Sequence, residues 1–270
     1  MSDLPSTPPE TKLVFTEDQW NAAMPQLTKD MTAHLAEYRT PIFKDQGTFG
    51  EGWGSGSFVE IDGTTHILTN EHVATVRHAG EKLGFKLKDL DELASVVGNH
   101  VERGWPWDLA ILPVTQAIWT AATHWSKAIQ VEQLALAHTP YPTEVFAFSG
   151  FAGERTGFHF STLSLEATTS LAREVPLPKD DRWDPRFHFG LDYRPDLATS
   201  ILGDRGLPKP PGLSGSTVWN TCFVEAKVKG IPWTPELARV AGIVWGWSST
   251  NGFVVATRVE HVRSFLLGGH

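Results

Sequence analysis

Short runs of β-branched and aromatic residues recur through most of the chain, and turn-forming residues separate each run from the next. Asp62-Gly63 is a dipeptide that favours a tight hairpin, and it lies between two such runs, residues 57–61 and 66–69. Short strands with turns about every eight to fifteen positions are typical of antiparallel sandwiches and barrels. The sequence therefore predicts an all-β fold. The other runs of this kind are residues 82–87, 94–99, 109–114, 144–149, 162–166, 187–191, 217–219, 239–245 and 253–257.

Two segments have helical rather than strand periodicity. Apolar residues recur every three or four positions in residues 16–38, and Thr16 can cap the first turn. Pro25 interrupts this pattern, so we expect a broken helix, or two short ones, packed on a larger body. Residues 258–267 place their apolar side chains on one helical face and are followed by a Gly-Gly pair, which predicts a second helix.

Charge and composition exclude several classes of protein. The chain has 23 basic and 31 acidic residues, a net charge of −8, whereas a nucleic-acid-binding protein needs a basic face against the phosphates. No apolar run reaches the roughly 18 residues of a membrane-spanning helix. The polar, proline-rich start lacks the pattern of a secretory signal. We therefore expect a cytoplasmic protein that binds neither nucleic acid nor membrane. Cys222 is the only cysteine, so no disulfide forms within the chain.

The sequence lacks the motifs of cofactor-binding and metal-binding proteins. The alternating glycines of residues 50–56 lack the third glycine of a dinucleotide-binding fingerprint, and the chain has no Gly-Lys-Ser or Gly-Lys-Thr of a phosphate-binding loop. His66, His72 and His78 recur at six-residue intervals, a spacing that suits neither one helix face nor known pairs of zinc ligands. We expect no cofactor and no metal.

Three residues in separate segments have the chemistry of nucleophilic catalysis. Ser214 has a glycine two positions before it and another directly after it. The backbone can therefore turn tightly there and bring amide N–H groups beside the hydroxyl, as an oxyanion hole requires. A serine hydroxyl becomes nucleophilic only beside a base, and an imidazole base needs a carboxylate to hold its tautomer. His72 lies just after one apolar strand and Asp108 just before another.

The sequences around these residues form an ordered pattern. The order is His, Asp, Ser, and the flanking segments read Leu-Thr-Asn-Glu-His-Val, Asp-Leu-Ala-Ile-Leu and Gly-Leu-Ser-Gly-Ser. Gly-Ser-Gly-Ser-Phe precedes the histidine, and Ala-Gly-Ile-Val-Trp-Gly follows the serine. This pattern resembles the trypsin/chymotrypsin-like serine peptidases, most closely the disulfide-free bacterial type, from about residue 54 to residue 265.

The resemblance implies two antiparallel six-stranded β-barrels with an N-terminal helical segment and a C-terminal helix. The divisions expected along the chain are a disordered leader (1–15), the helical segment (16–40), the first barrel with His72 and Asp108 (41–116), a linker (117–138), the second barrel with Ser214 (139–257) and the C-terminal helix (258–270).

The resemblance also implies a role for each residue. Ser214 would attack the scissile carbonyl, His72 would act as general base and then as general acid, and Asp108 would orient the histidine. The N–H groups of Gly212 and Ser214 would form the oxyanion hole. The implied reaction is hydrolysis of peptide bonds in a protein or peptide substrate through an acyl-enzyme.

Two positions depart from the pattern of many secreted members. Leu213 stands where those members carry an aspartate that pairs with a new N-terminus, so we do not expect activation by N-terminal insertion. Ser216 stands where the family usually has a glycine, and its hydroxyl is small enough to be tolerated.

The substrate pocket that the resemblance implies is apolar or small. Pro208 lies six residues before the nucleophile, where a member specific for basic residues would have aspartate. The wall strand aligns in two registers, one matching Trp245-Gly246 to the family's Trp-Gly and the other placing Trp247 where a glycine is expected. The candidate substrate-binding residues are Pro208, Val244, Trp245, Gly246 and Trp247.

Eleven tryptophans are many for a chain with three tyrosines and three methionines. We expect at least five of them near the cleft or on the strands that shape it: Trp53, Trp107, Trp219, Trp245 and Trp247.

The same residues bear on functions other than peptide hydrolysis. An α/β-hydrolase would show its aspartate and histidine after the serine, which is the reverse of the order here. A trypsin-like domain that is catalytically silent and binds protein in its cleft, or one activated by a regulatory protein partner, is the alternative hypothesis. An unrelated all-β interaction domain would require every motif to be coincidental.

Overall fold

The computed structural model describes residues 15–45, 50–90, 93–121, 123–159, 162–198, 200–201 and 206–268. Within these ranges the chain has fifteen β-strands and five α-helices, which confirms the predicted all-β class. The predicted leader lies outside the described residues except for Phe15, which is buried and packs on Trp20 and Phe223.

The first half of the molecule is an antiparallel sheet of seven strands in the order β5-β4-β1-β2-β3-β7-β6. Its hairpin between β2 and β3 turns at Asp62-Gly63 as predicted, with both residues at positive φ, the backbone that such a turn requires. The sheet has seven strands where six were expected, and the two at its ends, β5 and β6, are only three residues long. The strands are β1 (Arg39–Asp45), β2 (Gly50–Ile61), β3 (Thr64–Thr69), β4 (Leu83–Lys86), β5 (Leu93–Ser95), β6 (Val101–Arg103) and β7 (Leu109–Pro113).

The second half is a closed barrel of six strands in the order β11-β12-β15-β14-β13-β8, as the resemblance implied. Its interior is filled by phenylalanine and small aliphatic side chains, including Phe146, Phe148 and Phe189. β9 and β10 form a separate hairpin. The strands are β8 (Val145–Gly150), β9 (Thr156–His159), β10 (Thr162–Leu165), β11 (Thr168–Val175), β12 (His188–Asp192), β13 (Thr217–Asn220), β14 (Arg239–Ser248) and β15 (Phe253–Arg258).

The first helix is continuous, so the prediction of a helix broken at Pro25 is wrong. Thr16 caps it: the threonine Oγ1 accepts from the N–H of Gln19 at 3.3 Å, and the Gln19 side chain accepts from the N–H of Thr16 at 2.9 Å. Pro25 is exposed, and the buried side chains of the same helix hold it on the body of the protein. The helices are α1 (Glu17–Leu35), α2 (Glu71–Ala74), α3 (Gln116–Ala121), α4 (Phe223–Val228) and α5 (Val259–Leu266).

No helix within the described ranges is long and apolar enough to span a membrane.

The two halves share a core with α1 and α5. Trp219 is fully buried there, with the rings of Tyr38 and His34 5.2 and 5.3 Å away. Its neighbour Val218 points into the barrel interior, and because side chains alternate along a strand, Trp219 points the other way, toward α1. This tryptophan therefore fills the core between α1 and the barrel.

Candidate active site

His72 and Asp108 are joined by two hydrogen bonds. His72 Nδ1 lies 2.7 Å from Asp108 Oδ2, and the backbone N–H of His72 donates to Asp108 Oδ1 at 3.0 Å. The carboxylate is buried, whereas the imidazole is 46% exposed. Because a carboxylate accepts from Nδ1, the proton of a neutral imidazole lies there, and Nε2 is left as the acceptor.

Asp108 has an unusual backbone, with φ at +45°. A non-glycine residue in this region is strained and persists only where its surroundings hold it. Asn70 supplies one restraint, since its side-chain amide donates to the Asp108 carbonyl at 2.8 Å. The next residue, Leu109, begins β7 and is fully buried, which holds the chain on the other side.

The second barrel holds the residues directly before Asp108. Thr257 Oγ1 on β15 donates to the carbonyl of Trp107 at 2.8 Å. His188 Nδ1 on β12 accepts from the N–H of Asp184 at 2.9 Å, so the ring proton is on Nε2, which donates to the carbonyl of Pro106 at 2.7 Å. The position of the carboxylate in the first half therefore depends on two side chains of the second.

Ser214 lies beside the residue that follows the histidine. An atom at the Cβ position of Gly54 would lie 3.0 Å from Val73 Cγ1 and 3.4 Å from the Ser214 carbonyl oxygen, so the chain around Ser214 approaches that around His72 across this glycine. Among the described residues the Ser214 hydroxyl has one hydrogen bond, to the carbonyl of Trp245 at 3.5 Å. It has none to His72, so the described hydrogen bonds join His72 to Asp108 and do not join Ser214 to either.

Two backbone N–H groups at the nucleophile are free to bind a ligand. Within the described residues, the N–H groups of Gly212 and Ser214 have no acceptor. Gly153 N–H donates to the carbonyl of Pro211 at 2.8 Å, and in a planar trans peptide this fixes the Gly212 N–H on the opposite side. Both are the N–H groups that the sequence resemblance assigns to the oxyanion hole.

The Ser214 N–H is also held through the carbonyl of its own peptide. Ser216 N–H donates to the carbonyl of Leu213 at 3.0 Å, and this fixes the peptide that carries the Ser214 N–H. Gly215 must be glycine because its φ is +91° and a Cβ there would lie 1.8 Å from the carbonyl oxygen of Ser55. The loop therefore has a rigid backbone with two unused donors.

Leu213 is buried in the barrel core and is 1% exposed. Its N–H donates to the carbonyl of Pro210 at 2.8 Å. Apolar burial thus holds this position.

The predicted substrate-binding residues differ in burial. Pro208 is buried, and its carbonyl accepts from the hydroxyl of Tyr193 at 2.7 Å. Burial raises the pKa of the Tyr193 hydroxyl, so this group stays protonated and donates. Val244 belongs to the barrel core, whereas the side chain of Trp247 is exposed.

β14 has an irregular pairing at the candidate pocket. Val244 pairs with Ala256 and Gly246 pairs with Val255, so Trp245 is the extra residue of a bulge. The indole N–H of Trp245 is buried without a partner among the described residues. The bulge aims the Trp245 carbonyl at the Ser214 hydroxyl.

A cluster that sequence reasoning missed lies just beyond α2. The Nε2 atoms of His78 and His100 lie 2.9 and 2.8 Å from the two carboxylate oxygens of Glu102. Burial opposes the effect, but the hydrogen bonds from the two histidines hold the pKa of Glu102 below its ordinary value. Arg77 donates to His100 Nδ1 at 3.1 Å, so the proton of His100 is on the Nε2 that faces Glu102. The cluster is therefore satisfied as a hydrogen-bonded network, and we assign no metal to it. The short sequence spacing of His100 and Glu102 was the one signal that could have indicated it.

Comparison with protein-family models gives no match to this sequence, and comparison with curated protein sequences gives none. Solved structures do match. The Rv3671c protease from M. tuberculosis in its active form is 17% identical with a TM-score of 0.51, over 90% of this chain and 87% of that one. The chain has the trypsin-like peptidase fold. Human heparin binding protein is 12% identical with a TM-score of 0.51, over 86% of this chain and 90% of that one. A mutant of that protein is also 12% identical and has a TM-score of 0.52.

The fold inferred from the sequence pattern is thereby confirmed. The matched structures are a protease and a protein named for binding heparin. A fold does not determine an activity, so the activity of this chain has to be argued from its site.

Proposed function

We propose that this protein is a serine endopeptidase that hydrolyses peptide bonds with Ser214, His72 and Asp108. The observation that carries the proposal is the buried Asp108 carboxylate, both oxygens of which accept from His72. That pairing leaves Nε2 of an exposed imidazole as a base, and the Ser214 carbonyl and Val73, the residue after His72, both approach Gly54. The two free N–H groups of the nucleophile loop support the same reaction.

The reaction follows from these groups. Once the Ser214 side chain turns from the Trp245 carbonyl toward His72, Nε2 takes the hydroxyl proton and Oγ attacks the scissile carbonyl. The N–H groups of Gly212 and Ser214 receive the oxyanion. The protonated imidazole, stabilised by Asp108, gives its proton to the leaving amine. Water then repeats the sequence on the acyl-enzyme and releases the acid.

A free strand edge supports a peptide as substrate. β14 pairs with β13 only as far as Ile243, and in the described residues no strand covers that edge along residues 245–248. An extended peptide can add to such an edge through backbone hydrogen bonds. Pro208, Val244, Trp245, Gly246 and Trp247 remain the candidate pocket residues, and their character supports an apolar or small side chain at the cleavage site.

The test is labelling by a fluorophosphonate probe at about pH 8. We expect wild-type protein to react and Ser214→Ala to remain unlabelled. Cleavage of a peptide library, read by mass spectrometry with Ser214→Ala as control, then gives the specificity.

One observation favours a second function. The Ser214 hydroxyl is directed at the Trp245 carbonyl and lacks a bond to His72, as expected of a trypsin-like domain that binds protein in its cleft or needs a regulatory partner. Folded wild-type protein that stays unlabelled would favour this alternative. A cytoplasmic location stays a prediction.

A further inference from the structure

Ser55 links the first sheet to the nucleophile loop. It lies on β2 and is fully buried. Its N–H donates to the carbonyl of Ser214, and its hydroxyl donates to the carbonyl of Gly212, both at 2.8 Å. The hydroxyl also accepts from the N–H of Phe151 at 2.8 Å, and Thr69 Oγ1 donates to the Ser55 carbonyl at 2.8 Å. Every polar atom of this residue is thus used, and two of its bonds hold the loop.

These two bonds restrain the peptides next to the free donors. The Gly212 carbonyl belongs to the peptide that lies between the Gly212 N–H and the Ser214 N–H along the chain. The Ser214 carbonyl belongs to the peptide that follows. Because each peptide is planar, a free N–H can change direction only if the backbone rotates at one end of its peptide. Ser55 holds the neighbouring peptides that contain the Gly212 and Ser214 carbonyls, so it restrains that rotation.

We propose that Ser55 is a positioning residue whose hydroxyl holds the nucleophile loop in the conformation that presents the Gly212 and Ser214 N–H groups to substrate. This inference rests on the proposed function, since it assigns those N–H groups to the oxyanion. It assigns Ser55 no contact with the reacting atoms.

The hydroxyl is specifically required by this arrangement. It donates to one backbone group and accepts from another, and both groups belong to the second half of the molecule. Alanine at position 55 leaves the Gly212 carbonyl and the Phe151 N–H without that partner, while the backbone bond to Ser214 stays. The space is also closed, since an atom at the Cβ position of Gly150 would lie 2.7 Å from the Ser55 hydroxyl. Loss of the hydroxyl removes the bond to the Gly212 carbonyl, and the 212–213 peptide can then rotate.

Ser57 provides a matched control. It lies two residues further along β2, is also buried, and its hydroxyl bonds with Thr217 Oγ1 at 2.9 Å. This bond crosses between the same two halves but reaches β13 rather than the loop. Ser57→Ala thus removes an equivalent buried hydroxyl with no direct effect on the peptides beside the nucleophile.

The experiment measures kcat and KM on a cleaved peptide for wild type, Ser55→Ala and Ser57→Ala, together with the melting temperature of each. Removing an oxyanion donor outright lowers kcat about 10²–10³-fold, so disordering it should cost about 10-fold to 100-fold. We expect Ser55→Ala to lose this much kcat with KM changed less than about threefold. Ser57→Ala should keep kcat within about twofold. Equal kcat in the two variants, at similar melting temperatures, would overturn the inference.

Hydrogen exchange of the loop amides separates this inference from the proposed function. We expect the hydrogen-bonded N–H groups of the loop, those of Leu213, Gly215 and Ser216, to exchange faster in Ser55→Ala than in Ser57→Ala, whether or not the protein cleaves peptides. Inactive wild-type protein with this exchange pattern refutes the proposed function and keeps the loop restraint. Active wild-type protein whose loop exchange and kcat are unchanged in Ser55→Ala refutes the restraint alone.

Discussion

Both oxygens of the Asp108 carboxylate accept hydrogen bonds from a single residue, His72: one from the ring Nδ1 at 2.7 Å and the other from the backbone N–H at 3.0 Å. Among the described residues no other group donates to this carboxylate. The orientation of the imidazole therefore depends on the charge and acceptor character of Asp108. The position of Asp108 depends in turn on its backbone.

Asp108→Asn should lower kcat about 10³-fold or more. The asparagine amide has nearly the shape of the carboxylate, but one of its groups donates, so it can favour the imidazole tautomer with its proton on Nε2. In that tautomer the ring cannot take the proton of Ser214. The rate of peptide cleavage measures the loss, and the circular dichroism spectrum checks that the fold is intact. A folded variant with kcat within tenfold of wild type would show that Asp108 does not orient the base.

Thr257→Val should reduce kcat about threefold to tenfold and destabilise the protein by about 1 kcal/mol. The change keeps the shape of the side chain but removes its bond to the Trp107 carbonyl, so the backbone that carries Asp108 loses one restraint. Thr40→Val is the control, because Thr40 is buried and donates to the Lys86 carbonyl at 2.8 Å on the side of the first sheet. Urea unfolding and kcat are measured on both. Equal kcat in the two variants would mean that the second barrel does not position Asp108.

The features that a sequence can indicate here are local. The hairpin at Asp62-Gly63 was predictable because that dipeptide accepts positive φ and alternating strands flank it. The three candidate catalytic residues could be named because each lies in a short segment with a recognisable pattern, and the structure shows the bond between two of them, His72 and Asp108.

Contacts between residues far apart in the chain leave no such signal. His188 bonds with the Pro106 carbonyl 82 positions away, and the Ser55 hydroxyl bonds with the Gly212 carbonyl 157 positions away. The local sequence does not indicate which distant backbone group either side chain contacts. The continuity of α1 through Pro25 was missed for a related reason, because tertiary burial outweighed the local cost of the proline.

His188 carries a buried imidazole whose protonation state matters for the link between the halves. Burial lowers its pKa from the ordinary value of 6.5. The bond to the Pro106 carbonyl and the charges of Asp184 and Asp108 oppose this effect, while the charge of His261 adds to it. Protonation would place a second N–H on Nδ1, against the backbone N–H of Asp184 that this atom now accepts.

Folding stability should therefore fall as the pH drops below about 6.5. In that range the unfolded chain binds a proton at residue 188 and the folded chain does not, so acid favours unfolding until the pH reaches the lowered pKa. His188→Gln, whose amide can still donate toward Pro106, should remove this contribution. Urea midpoints at about pH 7.5 and pH 5.5 measure it in both proteins. Burial also lowers the pKa of His34, so the variant should still lose some stability as the pH falls. An identical slope in variant and wild type would contradict the assignment.

Ser216 differs from the other buried serines of the cleft region. Its hydroxyl is fully buried, and within the described residues it has no hydrogen-bond partner. A buried hydroxyl without a partner is destabilising, so Ser216→Ala should leave the melting temperature unchanged or raise stability by up to about 1 kcal/mol. Ser57→Ala makes the same chemical change where the hydroxyl is bonded to Thr217, and it should lower stability. A loss in Ser216→Ala as large as that in Ser57→Ala would show that the Ser216 hydroxyl is bonded in solution, with a buried water as the partner to look for.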